Sequence, residues 1–139
     1  MTLLEMCDSE AASVSTDATA EQAIRTMLDR RVGAVAVVDQ NKRVAGVFTE
    51  RDVLRRLALS GRNPGQTPVR EIMTTPVEMA TLETSPAEAL ATMVERHYRH
   101  LPIVDDDGRL LGMLSIRNVL QAQIDALAGE LDRARSGKR

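Results

Sequence analysis

Aromatic side chains are nearly missing from this 139-residue chain: Phe48 and Tyr98 are the whole complement, and there is no tryptophan. Without large rings a core has to be assembled from Val, Leu, Ile, Ala and Met, which points to helices packed closely on small sheets. The same shortage argues against a single-stranded nucleic-acid platform, because such surfaces stack bases on rings. An excess of one charge is missing too. The 18 Lys and Arg face 20 Asp and Glu, a formal net charge of −2, whereas a dedicated DNA binder carries a clear positive excess.

A single cysteine, Cys7, excludes an intrachain disulfide and every multi-cysteine metal motif. Two histidines, His97 and His100, are too few for a catalytic zinc site built from several imidazoles. The longest apolar runs, such as Val32 to Val38, fall far short of the ~20 residues a membrane helix needs. The first twenty residues hold Glu5, Asp8, Glu10 and Asp17 with no basic start, so no signal peptide is visible. These absences predict a cytoplasmic protein that engages neither a membrane nor a nucleic-acid polymer. The length allows one ordinary domain or two very small ones.

What the chain does have is a repeat. Shifted by 66 positions, residues 23–54 match residues 89–120 at 11 of 32 ungapped positions, including Met27 with Met93, Asp39 with Asp105 and Gly46 with Gly112. Two copies make a pseudo-twofold pair rather than a solenoid. Each copy opens on a capping-box signature, Thr19-Ala-Glu-Gln22 and Ser85-Pro-Ala-Glu88, the second with proline at the first helical position. Apolar residues then recur at helical spacing, with Met27 and Met93 assigned to the core. Two short apolar runs follow in each copy, residues 34–39 and 44–48, then 101–105 and 110–114, and read as buried strands joined by polar turns. A closing helix is expected over 50–59 and 116–131. The Gly/Pro stretch 60–67 is a linker, placing the first unit at 1–67 and the second at 68–139. Residues 68–73 read as one helical turn, and 13–15 and 77–81 as short edge strands.

The patches Ala36-Val-Val-Asp39 and Leu101-Pro-Ile-Val-Asp105, the phrases Gly46-Val-Phe-Thr-Glu-Arg-Asp52 and Gly112-Met-Leu-Ser-Ile-Arg-Asn118, and the Met-Thr-Thr-Pro lead-in at 73–76 together resemble a tandem pair of CBS domains, the module named after cystathionine β-synthase. The resemblance covers residues 19–57 and 69–121. It implies an α/β (α+β) fold of two pseudo-twofold-related units, each a small sheet flanked by helices, with clefts between the sheets that often hold an adenosine-containing ligand.

The residues around Thr49-Glu-Arg-Asp52 suit such a ligand. A strand ending at Phe48 and leading into a helix sets backbone N–H groups at a cleft mouth. Asp52 is placed to accept hydrogen bonds from both ribose hydroxyls, and Thr49 to donate to the ribose or the nearest phosphate. Gly46 leaves room for a ligand or a neighbouring strand. The same Thr-x-x-Asp pattern is also an ordinary helix cap, and one residue can serve both ends. In the second copy Ser115 and Asn118 stand at these places, and the loss of the acid predicts a weaker second site. The resemblance further implies that Arg99 and His100 of the second unit reach phosphates whose ribose is held by Asp52. The alternative for them is a solvated turn. Tyr98 reads as core or cleft wall.

Other patterns are weaker. Asp105-Asp-Asp-Gly108 reads as a hairpin turn, because position twelve of a calcium loop would fall on Ile116 rather than on glutamate. The run Arg51, Arg55, Arg56 and Arg62 reads as a solvated helix face, with Arg51 a candidate for assisting a phosphate. Leu120, Ile124, Leu127 and Leu131 form a 4-3-4 pattern that suits either a seam against another chain or a last core helix. By resemblance the chain is expected to dimerise.

The leading expectation is a non-enzymatic regulatory module that requires no cofactor and senses AMP, ADP, ATP or a relative. With no output domain visible, its effector would be a separate protein. A ligand-free dimerisation scaffold is the alternative.

Overall fold

The two copies of the repeat fold alike in a computed structural model that describes residues 1–7 and 10–137. A short helix α1 (Leu3–Met6) and strand β1 (Ser13–Ser15) precede the first copy, which comprises α2 (Ala20–Arg30), β2 (Ala34–Val38), β3 (Val44–Thr49) and α3 (Glu50–Asp52). The second copy comprises α4 (Pro86–Arg96), β4 (His100–Val104), β5 (Leu110–Ser115) and α5 (Ile116–Ser136). Helix α2 starts where the sequence indicates: Thr19 Oγ1 accepts from the Gln22 N–H at 3.2 Å and Gln22 Oε1 accepts from the Thr19 N–H at 2.9 Å. Ser85 forms half of such a box, accepting from the Glu88 N–H with no return bond from the Glu88 side chain. Both helices end at a residue in the left-handed region, Arg31 and its mate His97, which closes the last turn on its own carbonyls.

In each copy the two apolar runs pair antiparallel, β2 with β3 and β4 with β5. Strand β1 adds to β2 in parallel. The corresponding edge of the second sheet is reduced to a single bridge, Ala80 to Ile103. The closing helices differ. Helix α3 runs directly into a π turn over Val53–Leu57, whereas α5 continues regularly for 21 residues.

The cores do not follow the division at 67/68. Val69, Ile72 and Met73 pack into the first core with Met27, Val35 and Phe48, while Leu3 packs into the second core with Met93, Leu101 and Leu114. Each sheet is covered by a lead-in segment, and a glycine on the sheet makes room for it. A Cβ at Gly46 would stand 2.7 Å from both Met73 Sδ and the Thr74 carbonyl oxygen. One at Gly112 would stand 2.8 Å from Leu4 Cδ1. The segment after the linker therefore completes the first unit, and the N-terminal helix completes the second.

The units join at their hairpin turns, where the Val44 N–H donates to the Gly108 carbonyl and the Leu110 N–H to the Lys42 carbonyl, each at 3.0 Å. Asp105 acts there as a turn residue, its Oδ1 accepting from the Asp107 and Arg109 N–H groups at 2.9 Å. Strands β3 and β5 run from this clasp to the opposite end, where two clefts open between the units. Helix α5 buries Asn118 and Val119 but leaves Leu120, Ile124, Leu127 and Leu131 exposed, so this stripe is not part of the chain's own core. Among the described residues no helix is long and apolar enough to cross a membrane.

Candidate functional site

The first cleft lies where β3 passes into α3. The extended backbone of Thr49 turns into the helix, and the carboxylate of Asp52 comes back over the turn. The Thr49 N–H donates to Asp52 Oδ2 at 3.0 Å, and the Asp52 N–H donates to Thr49 Oγ1 at 3.2 Å. The cap and the cleft wall are therefore one structure. Asp52 is only 4% exposed, and a buried carboxylate needs partners. The Thr74 hydroxyl supplies one, 2.9 Å from Oδ1, and Arg56 Nε lies 3.7 Å from the same oxygen. Thr74 is held in turn by a two-way backbone pairing with Val47.

Facing Asp52 across about 590 Å³ of cleft are His97, Tyr98, Arg99 and His100 of the second unit. Tyr98 packs against the second core and also lines the cleft. Burial, and secondarily the charge of Arg99, hold the His100 pKa below its ordinary 6.5, so the neutral ring offers one donor and one acceptor near pH 7. The ring rests over Gly33, where a Cβ would lie 3.3 Å from His100 Cε1 and 2.7 Å from Glu50 Oε1. Arg51 spans the gap between units: its Nη1 donates to the His97 carbonyl at 3.2 Å, at the negative end of α4.

Thr49, Asp52, Arg51, Tyr98, Arg99 and His100 thus surround one cleft. Gly46 does not line it. Its missing side chain admits Met73 and Thr74 instead, so it acts on the site through the Met73 carbonyl, which accepts from Arg56, and the Thr74 hydroxyl on Asp52. Thr74, Arg55, Arg56 and Arg96, which the sequence marks for no site role, also line the cleft. The i, i+4 spacing of Asp52 and Arg56 carries a signal for that pair. Thr74 sits in the Met-Thr-Thr-Pro lead-in at 73–76, but nothing local marks its contact with Asp52, 22 residues away. The expected arginine face is solvent-exposed and also borders the cleft: Arg51, Arg55 and Arg56 line its mouth, while Arg62 pairs with Glu71.

A second cleft of about 910 Å³ opens at the related place. Ser115 and Asn118 line it and repeat the same cap, with the Ser115 N–H donating to Asn118 Oδ1 at 2.9 Å. Its facing wall, from Arg31 to Ala34, is mostly apolar. Gly33, Glu50, Leu54, Arg99 and His100 line both clefts, forming a shared partition.

Comparison with known proteins agrees with this architecture. A family model described as CBS domain matches residues 4–59 and 69–125. A mitochondrial CBS domain-containing protein of Arabidopsis thaliana is 36% identical over 123 residues, 86% of this chain and 59% of that protein. The chain spans between about half and two thirds of the length of the first curated relatives it matches. Among solved structures, a protein with CBS domains from Burkholderia ambifaria superposes with a TM-score of 0.80 at 31% identity, covering 90% of this chain and 95% of that one. A CBS domain protein of Pyrobaculum aerophilum, solved in complex with AMP, gives 0.77 at 26% identity over 85% and 89% of the two chains. Two matched copies, folded as a pseudo-twofold pair with a cleft at each related position, make this chain a member of the CBS domain family, a tandem CBS pair.

Proposed function

We propose that this chain is a regulatory module that binds an adenosine-type nucleotide in the cleft between Asp52 and the Arg99–His100 segment. The observation that carries the reading is the buried Asp52 carboxylate, from unit one, facing cations from unit two across a cleft of nucleotide size. The donors now on Asp52 include the hydroxyls of Thr49 and Thr74, which rotate freely enough to give way to ribose hydroxyls. The AMP complex of the Pyrobaculum aerophilum protein supports the same ligand class. AMP, ADP or ATP acts here as a regulatory ligand, with no catalytic role assigned to the chain.

Because the walls come from both units, binding strength depends on how the units sit relative to each other. A ligand that prefers one arrangement shifts the population toward it. The hairpin clasp is the natural pivot, and the helices beside the clefts are the surface that a second copy of the chain and an effector protein would read.

The competing reading is a ligand-free dimerisation scaffold. It is favoured by the fact that Thr49, Thr74 and Arg56 already occupy Asp52. Isothermal titration of the full chain with adenine nucleotides separates the two. Saturable binding that weakens in Asp52→Asn supports the sensor; no heat at millimolar AMP, ADP or ATP leaves the scaffold.

A further inference from the structure

The pseudo-twofold relation provides an internal control on what the fold itself requires. Arg51 and Arg96 each have a basic mate in the other copy, Arg117 and Arg30. Arg55, Arg56, Arg99 and His100 do not: their mates are Gln121, Ala122, Gly33 and Ala34. The scaffold forms without basic residues at those four places, so the guanidinium charge of Arg55, Arg56 and Arg99 at the Asp52 cleft is an addition to it.

The existing partners of these cations limit what remains for a ligand. Arg56 stands against Asp52, and Arg96 pairs with Glu78 at 2.7 Å. Arg51 donates to a neutral carbonyl, which leaves its charge uncompensated. Among the described residues the side chains of Arg55 and Arg99 make no hydrogen bond or ion pair. Glu50, an acid of the lining that no ion pair engages, belongs to the partition beside Gly33 and His100. Three guanidiniums without a carboxylate in contact therefore surround the cleft: Arg51 and Arg55 one turn apart on one wall, Arg99 on the other. Like charges gathered in this way repel one another, and an anion of matching charge relieves them. A single phosphate ester carries only about two negative charges near neutral pH, and each further phosphate adds at least one.

On the nucleotide reading of this cleft, we infer that it is built for a nucleoside di- or triphosphate rather than a monophosphate, with Arg55 and Arg99 holding the phosphates beyond the first. Guanidinium forks suit this role, since each can take two phosphate oxygens at once. Arg55 is the sharper probe, because it lines this cleft alone while Arg99 also borders the other.

The test is titration of AMP, ADP and ATP, at fixed salt and without magnesium, into the full chain and into Arg55→Gln and Arg99→Gln. Thermal melts confirm that each variant is folded, and Arg55→Lys serves as a second, charge-retaining variant. ATP and ADP are expected to bind about tenfold more tightly than AMP, and Arg55→Gln to remove most of that margin while changing AMP affinity less than about twofold. Arg55→Lys should fall between the two. Equal affinity for AMP and ATP, or equal losses for both in Arg55→Gln, overturns the oligophosphate assignment and leaves the nucleotide site standing. Failure of all three nucleotides to bind overturns both.

Discussion

Asp52 and Asn118 occupy the same place in the two halves and accept the same bond, from the Thr49 N–H at 3.0 Å and from the Ser115 N–H at 2.9 Å. The helix start needs an acceptor oxygen there, and either residue supplies it. The negative charge is extra. It is buried beside the hydroxyls of Thr49 and Thr74 and the guanidinium of Arg56. The second copy thus shows what the position looks like when it serves as a cap without a charge.

Asp52→Asn should therefore keep the cap and lose the charge, whereas Asp52→Ala should lose both. A cap residue replaced by alanine costs about 0.5–2 kcal/mol, and the Thr74 hydroxyl loses its acceptor as well. Thermal or urea unfolding should rank wild type and Asp52→Asn close together and Asp52→Ala clearly lower. Hydrogen bonds to a charged acceptor contribute about 1.5–3 kcal/mol against about 0.5–1.5 for neutral ones. Nucleotide affinity in Asp52→Asn should accordingly fall about tenfold or more. Equal affinity in the two proteins would remove Asp52 from the binding site.

Gly46 and Gly112 should respond differently to alanine. At Gly46 the new methyl meets the backbone oxygen of Thr74 as well as Met73 Sδ, both at 2.7 Å, and backbone cannot swing aside. At Gly112 it meets the end of the Leu4 side chain at 2.8 Å, which can turn away. Overpacking that forces backbone shifts costs about 1–3 kcal/mol, so Gly46→Ala should lower the melting temperature by several degrees and Gly112→Ala by less. Because Thr74 would move with its backbone, Gly46→Ala should also weaken nucleotide binding. The reverse ranking would mean that the lead-in segment does not depend on Gly46.

The repeat made most of this architecture legible. Helical periodicity located α2 and α4, short apolar runs bounded by turn residues located the four central strands, and the resemblance carried by the duplicated Thr-x-x-Asp and Ser-x-x-Asn phrases implied the clefts beside them. Two things escaped. The exchange of lead-in segments between units depends on contacts such as Leu3 with the second core and Val69 with the first, and no local pattern records which sheet a short apolar segment will cover. The π turn after Asp52 escaped for a related reason: residues 53–57 read as ordinary helix, and the extra residue in the turn shows in the Ala58 N–H bonding back to the Val53 carbonyl at 2.8 Å.

His100 predicts how stability depends on pH. Burial first and Arg99 second hold its folded pKa below the ordinary 6.5, with Glu50 the acidic group on the other side of Gly33. The unfolded chain therefore takes up a proton at a pH where the folded chain does not. This site's share of stability is complete above about pH 6.5 and declines as the pH falls below that value. Melting temperatures measured between pH 7.5 and 5.5 should drop more steeply for wild type than for His100→Gln. Parallel curves would show that the imidazole stays exposed to solvent in the folded protein.

The exposed apolar residues predict that the chain dimerises. Leu28 and its mate Val94 are 71% and 62% exposed, and Leu54 and its mate Leu120 are 73% and 47% exposed. The apolar surface thus repeats with the fold, as a self-complementary twofold interface would. Helix α5 extends it with Ile124, Leu127 and Leu131, each more than half exposed, on one face at the expected 4-3-4 spacing. Burying a leucine or isoleucine side chain contributes about 1.5–3 kcal/mol, and the stripe offers several against the entropy lost on association. Light scattering on the eluted full chain should give twice the mass of one chain, and Ile124→Asp with Leu127→Asp should reduce it to one while both cores keep their cooperative melt. A wild-type chain that stays monomeric at high micromolar concentration would leave α5 to a different partner and take the second copy out of the proposed assembly.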